Sequence, residues 1–96
     1  MKEQNTLFGI AWYRKEQWEL LKSTAADFEL IEDTFEEWEK NAKKALKNLR
    51  KEGANVIKVD FDVEEFNEWC KKNNRRPDTR TRSDYVAYLL REKYNK

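Results

Sequence analysis

Cys70 is the one side chain in this 96-residue chain whose type alone could supply a reactive thiolate nucleophile. A thiol needs a base or a positive neighbour to become a thiolate. Lys71 and Lys72 follow it, but the chain contains no histidine. That removes the commonest general base, histidine metal ligation and a histidine pH switch. Cys70 also falls on the apolar stripe Val63, Phe66, Trp69, Cys70, so the sequence predicts a small buried hydrophobe rather than a catalyst. Gly9 and Gly53 stand alone, which excludes a P-loop and a dinucleotide fingerprint. No enzymatic activity, cofactor or metal is expected.

Charge is distributed in blocks. Seven acids lie between Lys22 and Lys40 with no base among them: Asp27, Glu29, Glu32, Asp33, Glu36, Glu37 and Glu39. Glu32 and Glu36 would share a face if both were helical, and such a pair can hold Mg²⁺ or divide acid and base roles. Helix N-termini attract acids anyway, so a solvated face is the expected reading. The opposite block, Lys71 to Arg82, carries six positive charges against one negative. Arg75, Arg76, Arg80 and Arg82 suit two-pronged recognition of phosphate or carboxylate, and a helix N-terminus is expected just beyond them. These four arginines are candidate anion-binding or interaction residues.

Thirteen aromatic residues in so polar a chain exceed the obvious needs of one small core. Phe8, Trp38, Phe61 and Phe66 lie on clear inner stripes. Trp12, Tyr13, Trp18, Tyr85 and Tyr88 fit either a core edge or a binding patch, and Trp12, Tyr13 and Trp18 are the candidate interaction residues, since Trp, Tyr and Arg dominate binding hot spots.

The elements that must position these groups follow from periodicity. The uninterrupted run Leu7–Tyr13 predicts a strand covered on both faces. Trp18 and Leu21 support a short helix from about Arg14 to Ser23, and Thr24–Asp33 reads as a connector with one helical turn. Thr34-Phe35-Glu36-Glu37 matches a capping box. Phe35, Trp38, Ala42, Ala45, Leu46 and Leu49 then mark one stripe of a helix running from about Thr34 to Glu52, ended by Gly53. Asn55–Asp62 predicts a strand with Ile57, Val59 and Phe61 facing inward. Asp62 with Glu65 caps a third helix, and Phe61 with Phe66 forms a hydrophobic staple. Asn73-Asn74 ends that helix. A last helix starts near Thr81-Arg82-Ser83-Asp84, carries Val86, Leu89 and Leu90 inward and is flanked by Tyr85, Tyr88 and Tyr94.

The expected fold is therefore α/β, in the order β-α-α-β-α-α, within a single domain spanning 1–96. Some 41 residues lie between the two strands, ample for a parallel crossover, and the small two-stranded sheet needs its helices or a partner strand to cover it.

Phe8-Gly9-Ile10-Ala11-Trp12-Tyr13-Arg14 with Gln17-Trp18-Glu19-Leu20-Leu21, then Asp33–Trp38, then Val59–Glu65, resemble the landmarks of a family of small bacterial proteins of unknown function. The resemblance spans nearly the whole chain and implies a bacterial, cytosolic setting. It carries no activity and no site residues.

Composition narrows the function classes. Charged residues make 41% of the chain against roughly 25% in ordinary domains, yet the net charge is only +1. Such a balance argues against tight nucleic-acid binding, which wants a basic footprint. No apolar run approaches a membrane span, Met1–Asn5 resembles neither a secretory nor a transit peptide, and one cysteine permits no internal disulfide. A cytoplasmic protein is expected. Its expected role is a protein–protein interaction module that self-associates as a homodimer. One alternative is a ribbon-helix-helix-like nucleic-acid binder, from the order strand, helix, helix after Asn55 and the basic 71–82 segment. Another is a small enzyme or anion-binding domain.

Overall fold

The computed structural model describes residues 7–94, the Tyr94 side chain excepted; the expectations for Met1–Asn5 and for the Tyr94 ring fall outside that range. Strands β1 (Phe8–Tyr13) and β2 (Val56–Phe61) pair in parallel, in register from Phe8 opposite Val56 to Tyr13 opposite Phe61. Helices α1 (Trp18–Thr24) and α2 (Phe35–Lys51) lie between them in sequence, and α3 (Val63–Lys72) and α4 (Thr79–Tyr94) follow β2. Single 3-10 turns at Lys15–Gln17 and Phe28–Leu30 fill the connectors on either side of α1. The fold is α/β with the expected order and a two-stranded parallel sheet.

Local sequence explains most element boundaries. The Thr34 hydroxyl accepts the Glu37 N–H at 3.1 Å, while the Glu37 carboxylate takes the Thr34 hydroxyl at 3.3 Å. Gly53 closes α2 at φ 94°, where L side chains are strained. The Gly53 N–H then reaches the Arg50 carbonyl and the Ala54 N–H the Leu49 carbonyl, both at 3.0 Å, which is a Schellman closure. Asn74, at φ 56°, ends α3 the same way, with the Arg75 N–H on the Cys70 carbonyl at 2.8 Å. Asp62 caps the start of α3 by accepting the Glu64 and Glu65 N–H groups, and the Phe61 and Phe66 rings staple it at 5.0 Å.

Two expectations need correction. The last helix starts at Thr79, not near Thr81, because Asp78 is its cap: the Asp78 carboxylate accepts the Thr81 N–H at 3.0 Å and its carbonyl accepts the Arg82 N–H at 2.9 Å. Thr81 and Arg82 are therefore in the first turns of α4 and buried, where an exposed turn was expected. The inner stripe of α2 also differs. Trp38, Ala42 and Leu46 are buried, but Ala45 and Leu49 are exposed. The row of fours continues to Arg50, which is exposed and whose guanidinium donates to the Val56 carbonyl at 3.1 and 3.2 Å. Rows of i, i+4 positions incline to the helix axis, and a buried face that follows one such row leaves the i+3 positions Ala45 and Leu49 outside.

The two sheet faces are covered by different helices. Gly9, Ala11 and Tyr13 share one face with Ile57, Val59 and Phe61, and α4 packs there. A Cβ on Gly9 would stand 2.6 Å from Val59 Cγ2 and 2.9 Å from Val86 Cγ1, so only glycine admits α4 this close. The other face carries Ile10, Trp12 and Val56 and meets α2, with the Trp12 and Trp38 rings edge to face at 5.2 Å. Phe61, Phe66, Leu21 and Val63 are the most deeply buried side chains.

Candidate functional site

Ten of the thirteen aromatic residues form one continuous network of rings, whereas Phe8, expected on an inner stripe, and Phe28 are exposed. Phe35 meets Trp18 and Trp38, Trp38 meets Tyr13, Tyr13 meets Phe61, and Phe61 meets Phe66 and Tyr85, at centroid distances of 5.0 to 5.9 Å. Trp69 and Tyr88 extend it along α3 and α4. Edge-to-face and tilted pairs of this kind add to plain burial. Most of the apparent excess of aromatics is thus accommodated within the chain, Phe8 and Phe28 excepted among the described residues. Trp18 is buried and its indole N–H donates to the Asp33 carbonyl at 3.3 Å, so it offers a partner no surface. Trp12 is half-buried, with Lys58 Nζ 4.5 Å above its ring. Tyr13 is half-buried too, its phenol beside Arg82; burial raises its pKa and the guanidinium pulls it back only in part.

The basic segment separates into engaged and free arginines. Arg82 is buried and grips Asp27 with two bonds of 3.0 and 2.9 Å, while Thr79 donates its hydroxyl to the same carboxylate. Burial alone would raise the Asp27 pKa; the bonds from Arg82 and Thr79, with the guanidinium charge, outweigh it and hold the group at about 2. Arg82 is accordingly unavailable as an anion ligand: it lies one turn before Val86, on the inward face of α4. Arg75 donates to Asp84 at 2.7 Å and lies over the Trp69 ring at 5.9 Å. Arg76 and Arg80 are exposed. The structure therefore does not bring the four arginines together as one anion site.

The acidic block is equally divided among local tasks. Glu32 accepts from Asn41 at 2.9 Å and Glu36 from Lys15 at 3.0 Å, so the two carboxylates do not form a pair. Among the described residues no three cysteine, aspartate or glutamate side chains converge as a metal site requires. Cys70 is buried, and loss of hydration raises its thiol pKa.

Two positioning residues gave no signal in the sequence. Lys22 Nζ donates to the carbonyls of Phe28, Ile31 and Glu32 at 3.0 to 3.3 Å, fixing the connector before α2. Gln17 donates to Asp62 at 3.0 Å and accepts the Val63 N–H at 2.8 Å, completing the α3 cap from 46 residues away. Neither lysine nor glutamine is distinctive in type; Lys22 bonds carbonyls of an irregular connector, and the targets of Gln17 lie some 45 residues along the chain.

What the arrangement leaves open is backbone. The Phe8 N–H bonds the Asn55 carbonyl at 2.9 Å, and with the observed register this turns Phe8, Ile10 and Trp12 towards β2. Gly9, Ala11 and Tyr13 then point their peptide groups outward from β1, and Lys58 and Asp60 point theirs outward from β2. Among the described residues no backbone or side-chain group bonds these outward peptides. A groove of about 490 Å³ follows the β2 edge, lined by Ile57, Val59, Leu89 and Leu90 with Lys58, Asp60, Glu92 and Lys93. A smaller one of about 300 Å³ follows the β1 edge. The ribbon-helix-helix order, strand then two helices, is present from β2 to α4, but β2 has β1 of its own chain on one side, and Asp60 on its polar face is held by Arg14.

No family model, curated protein or solved structure matches the chain. Among the described residues no helix is long and apolar enough to cross a membrane.

Proposed function

We propose that this protein is a non-enzymatic protein–protein interaction module of the bacterial cytoplasm that self-associates as a homodimer. The observation that carries the reading is the two-stranded sheet itself. Both strands are edges, and outward peptide groups on each lack partners among the described residues. Exposed edges invite strand addition, and small proteins otherwise blunt or cover them. Two further features agree. Two of the side chains that could do chemistry, Cys70 and Arg82, are buried, and Arg82 is engaged by Asp27. Exposed apolar groups remain at Phe8, Phe28 and Leu30, the last 81% exposed.

Light scattering coupled to size exclusion tests this over a concentration series. A mass rising to twice the 11.7 kDa chain is expected. A mass of one chain at every accessible concentration overturns self-association.

A further inference from the structure

The two sheet edges are not equivalent, and the difference selects both a partner and a register. The outward peptides of β1 come from Gly9, Ala11 and Tyr13, none of them charged, so nothing there would fix a register. Those of β2 come from Lys58 and Asp60, opposite charges two residues apart. Both side chains project from the same face of the sheet and both are exposed. Lys58 lies over Trp12, and Asp60 is steadied by Arg14 at 2.6 and 3.0 Å while its side chain stays 67% exposed. Arg50 takes the Val56 carbonyl, and Asp62 caps α3, so the usable edge runs from Ile57 to Phe61.

An antiparallel strand added here must place its own outward residues opposite Lys58 and Asp60, because only those residues exchange both backbone bonds. For a second copy of β2 about a two-fold axis, three registers satisfy this centrally. One sets Lys58 against Lys58, one sets Asp60 against Asp60, and one sets Lys58 against the second copy's Asp60 twice over. Directly opposed like charges destabilise a strand pair and unlike charges favour it. The third register also puts Val59 on the axis. There, on the opposite face, Val59 lies between Ile57 and the groove-lining Leu89 and Leu90, apolar groups that a symmetric partner would cover.

We propose that two copies of this chain dimerise by antiparallel pairing of β2 with β2 about a two-fold axis at Val59, Lys58 facing the second copy's Asp60, to give a four-stranded sheet in the order β1-β2-β2-β1. This deepens the self-association proposed above and rests on it. The partner is a second copy of this chain because its β2 edge is self-complementary in charge, Lys58 matching Asp60 when the strands run antiparallel.

A charge exchange tests the pairing. Lys58→Asp and Asp60→Lys singly each place like charges across the interface twice, and each raises the dimer dissociation constant by about tenfold or more. The double variant Lys58→Asp/Asp60→Lys brings it back to within about threefold of the parent, by restoring two unlike pairs. The double variant restores neither the Lys58 contact with Trp12 nor the Arg14 bond to Asp60, so recovery reports the contact between copies alone. A cysteine series in a Cys70→Ala background supplies a second readout. Under diamide, Val59→Cys gives a disulfide-linked dimer faster than Lys58→Cys or Asp60→Cys. A double variant no tighter than the singles, or fastest cross-linking at 58 or 60, overturns the register. If the parent chain is a dimer and both readouts fail, the edge is wrong and the interaction module stands. If the parent chain is a monomer throughout, the β2 pairing and self-association both fall.

Discussion

Arg82 with Asp27 and Arg14 with Asp60 make the same two-pronged contact in opposite surroundings. Each joins segments far apart in sequence, and each uses two nitrogens on two carboxylate oxygens at 2.6 to 3.0 Å. The side chains of the first pair are 8% and 13% exposed; those of the second are 36% and 67% exposed. The inner pair ties the connector after α1 to the first turns of α4, where Thr79 adds a hydroxyl and the Ala26 N–H bonds the Pro77 carbonyl at 2.8 Å. The outer pair steadies the ends of the two strands on a face open to water. Geometry alone would rank them equal. Burial decides that the inner pair is structural, whereas the outer one leaves its carboxylate free for a second cation.

The largest effect expected from breaking this symmetry is at Asp27. Asp27→Ala strands the Arg82 guanidinium in the interior, a change that costs about 3 kcal/mol or more. For a domain of this size that lowers the melting midpoint by roughly 12–25 °C. Thermal denaturation followed by circular dichroism at one protein concentration measures it. A shift under about 4 °C would mean that the guanidinium finds water and that the pair is not truly interior.

Acid titration sharpens the same contrast. The folded Asp27 pKa of about 2 lies below the ordinary 3.8, so its contribution is complete above the unfolded value and is lost as pH falls from about 5 towards 2. Integrated over that window the loss is about 2 kcal/mol. Urea unfolding of the parent and of Asp27→Asn at pH 5, 4, 3 and 2.5 is the measurement. The stability gap between them narrows as pH falls. A shallower slope of the same sign persists in the variant, since Asp60, Asp62 and Asp78 are also held below the usual carboxylate range by their hydrogen bonds. A gap that stays constant with pH would remove the titration of Asp27 from the account.

Replacing both inner partners gives a smaller effect than removing one. Asp27→Leu/Arg82→Met exchanges an ion pair for apolar contact of similar bulk, and such exchanges are often neutral. The double variant is expected within about 1 kcal/mol of the parent, well above either single, as read by a double-mutant cycle in urea. Additive losses would show that the two residues act through separate contacts.

The outer pair was as hidden in the sequence as the inner one, for the same reason. Capping is local, so Thr34 with Glu37, Gly53, and Asp62 with Phe61 and Phe66 could be read from a window of a few residues. The parallel sheet was also legible, from two short apolar runs and the length of chain between them. Arg82 with Asp27 spans 55 positions and Arg14 with Asp60 spans 46, and no periodicity links them. The start of α4 was misplaced because Thr81, Ser83 and Asp84 repeat a capping pattern inside the helix, while the working cap, Asp78, was hidden behind Pro77. Arg82 is a core residue because it precedes Val86 by four positions and shares its inward face. Trp18 misled in a similar way: its neighbours in sequence are charged, and its neighbours in space are Tyr13, Phe35 and Trp38.

The smallest effect is expected at Arg14. Its partner Asp60 is mostly in water, where a two-pronged pair contributes less than about 1 kcal/mol and salt screens it. At protein concentrations low enough to keep the chain monomeric, Arg14→Ala therefore lowers stability by well under the Asp27→Ala loss, and 0.5 M sodium chloride brings it closer to the parent. The same salt leaves the Asp27→Ala deficit in place, because a buried pair is screened far less. Urea curves for the three proteins at low and high salt make the test. If salt erased both deficits, the two pairs would share one dielectric environment, and burial would not be what separates them. If it erased neither, Asp60 would be shielded from solvent in solution, as it would be on an edge covered by a second copy. Repeating the low-salt curve across protein concentrations separates that case, since only a dimer makes the Arg14→Ala deficit depend on concentration.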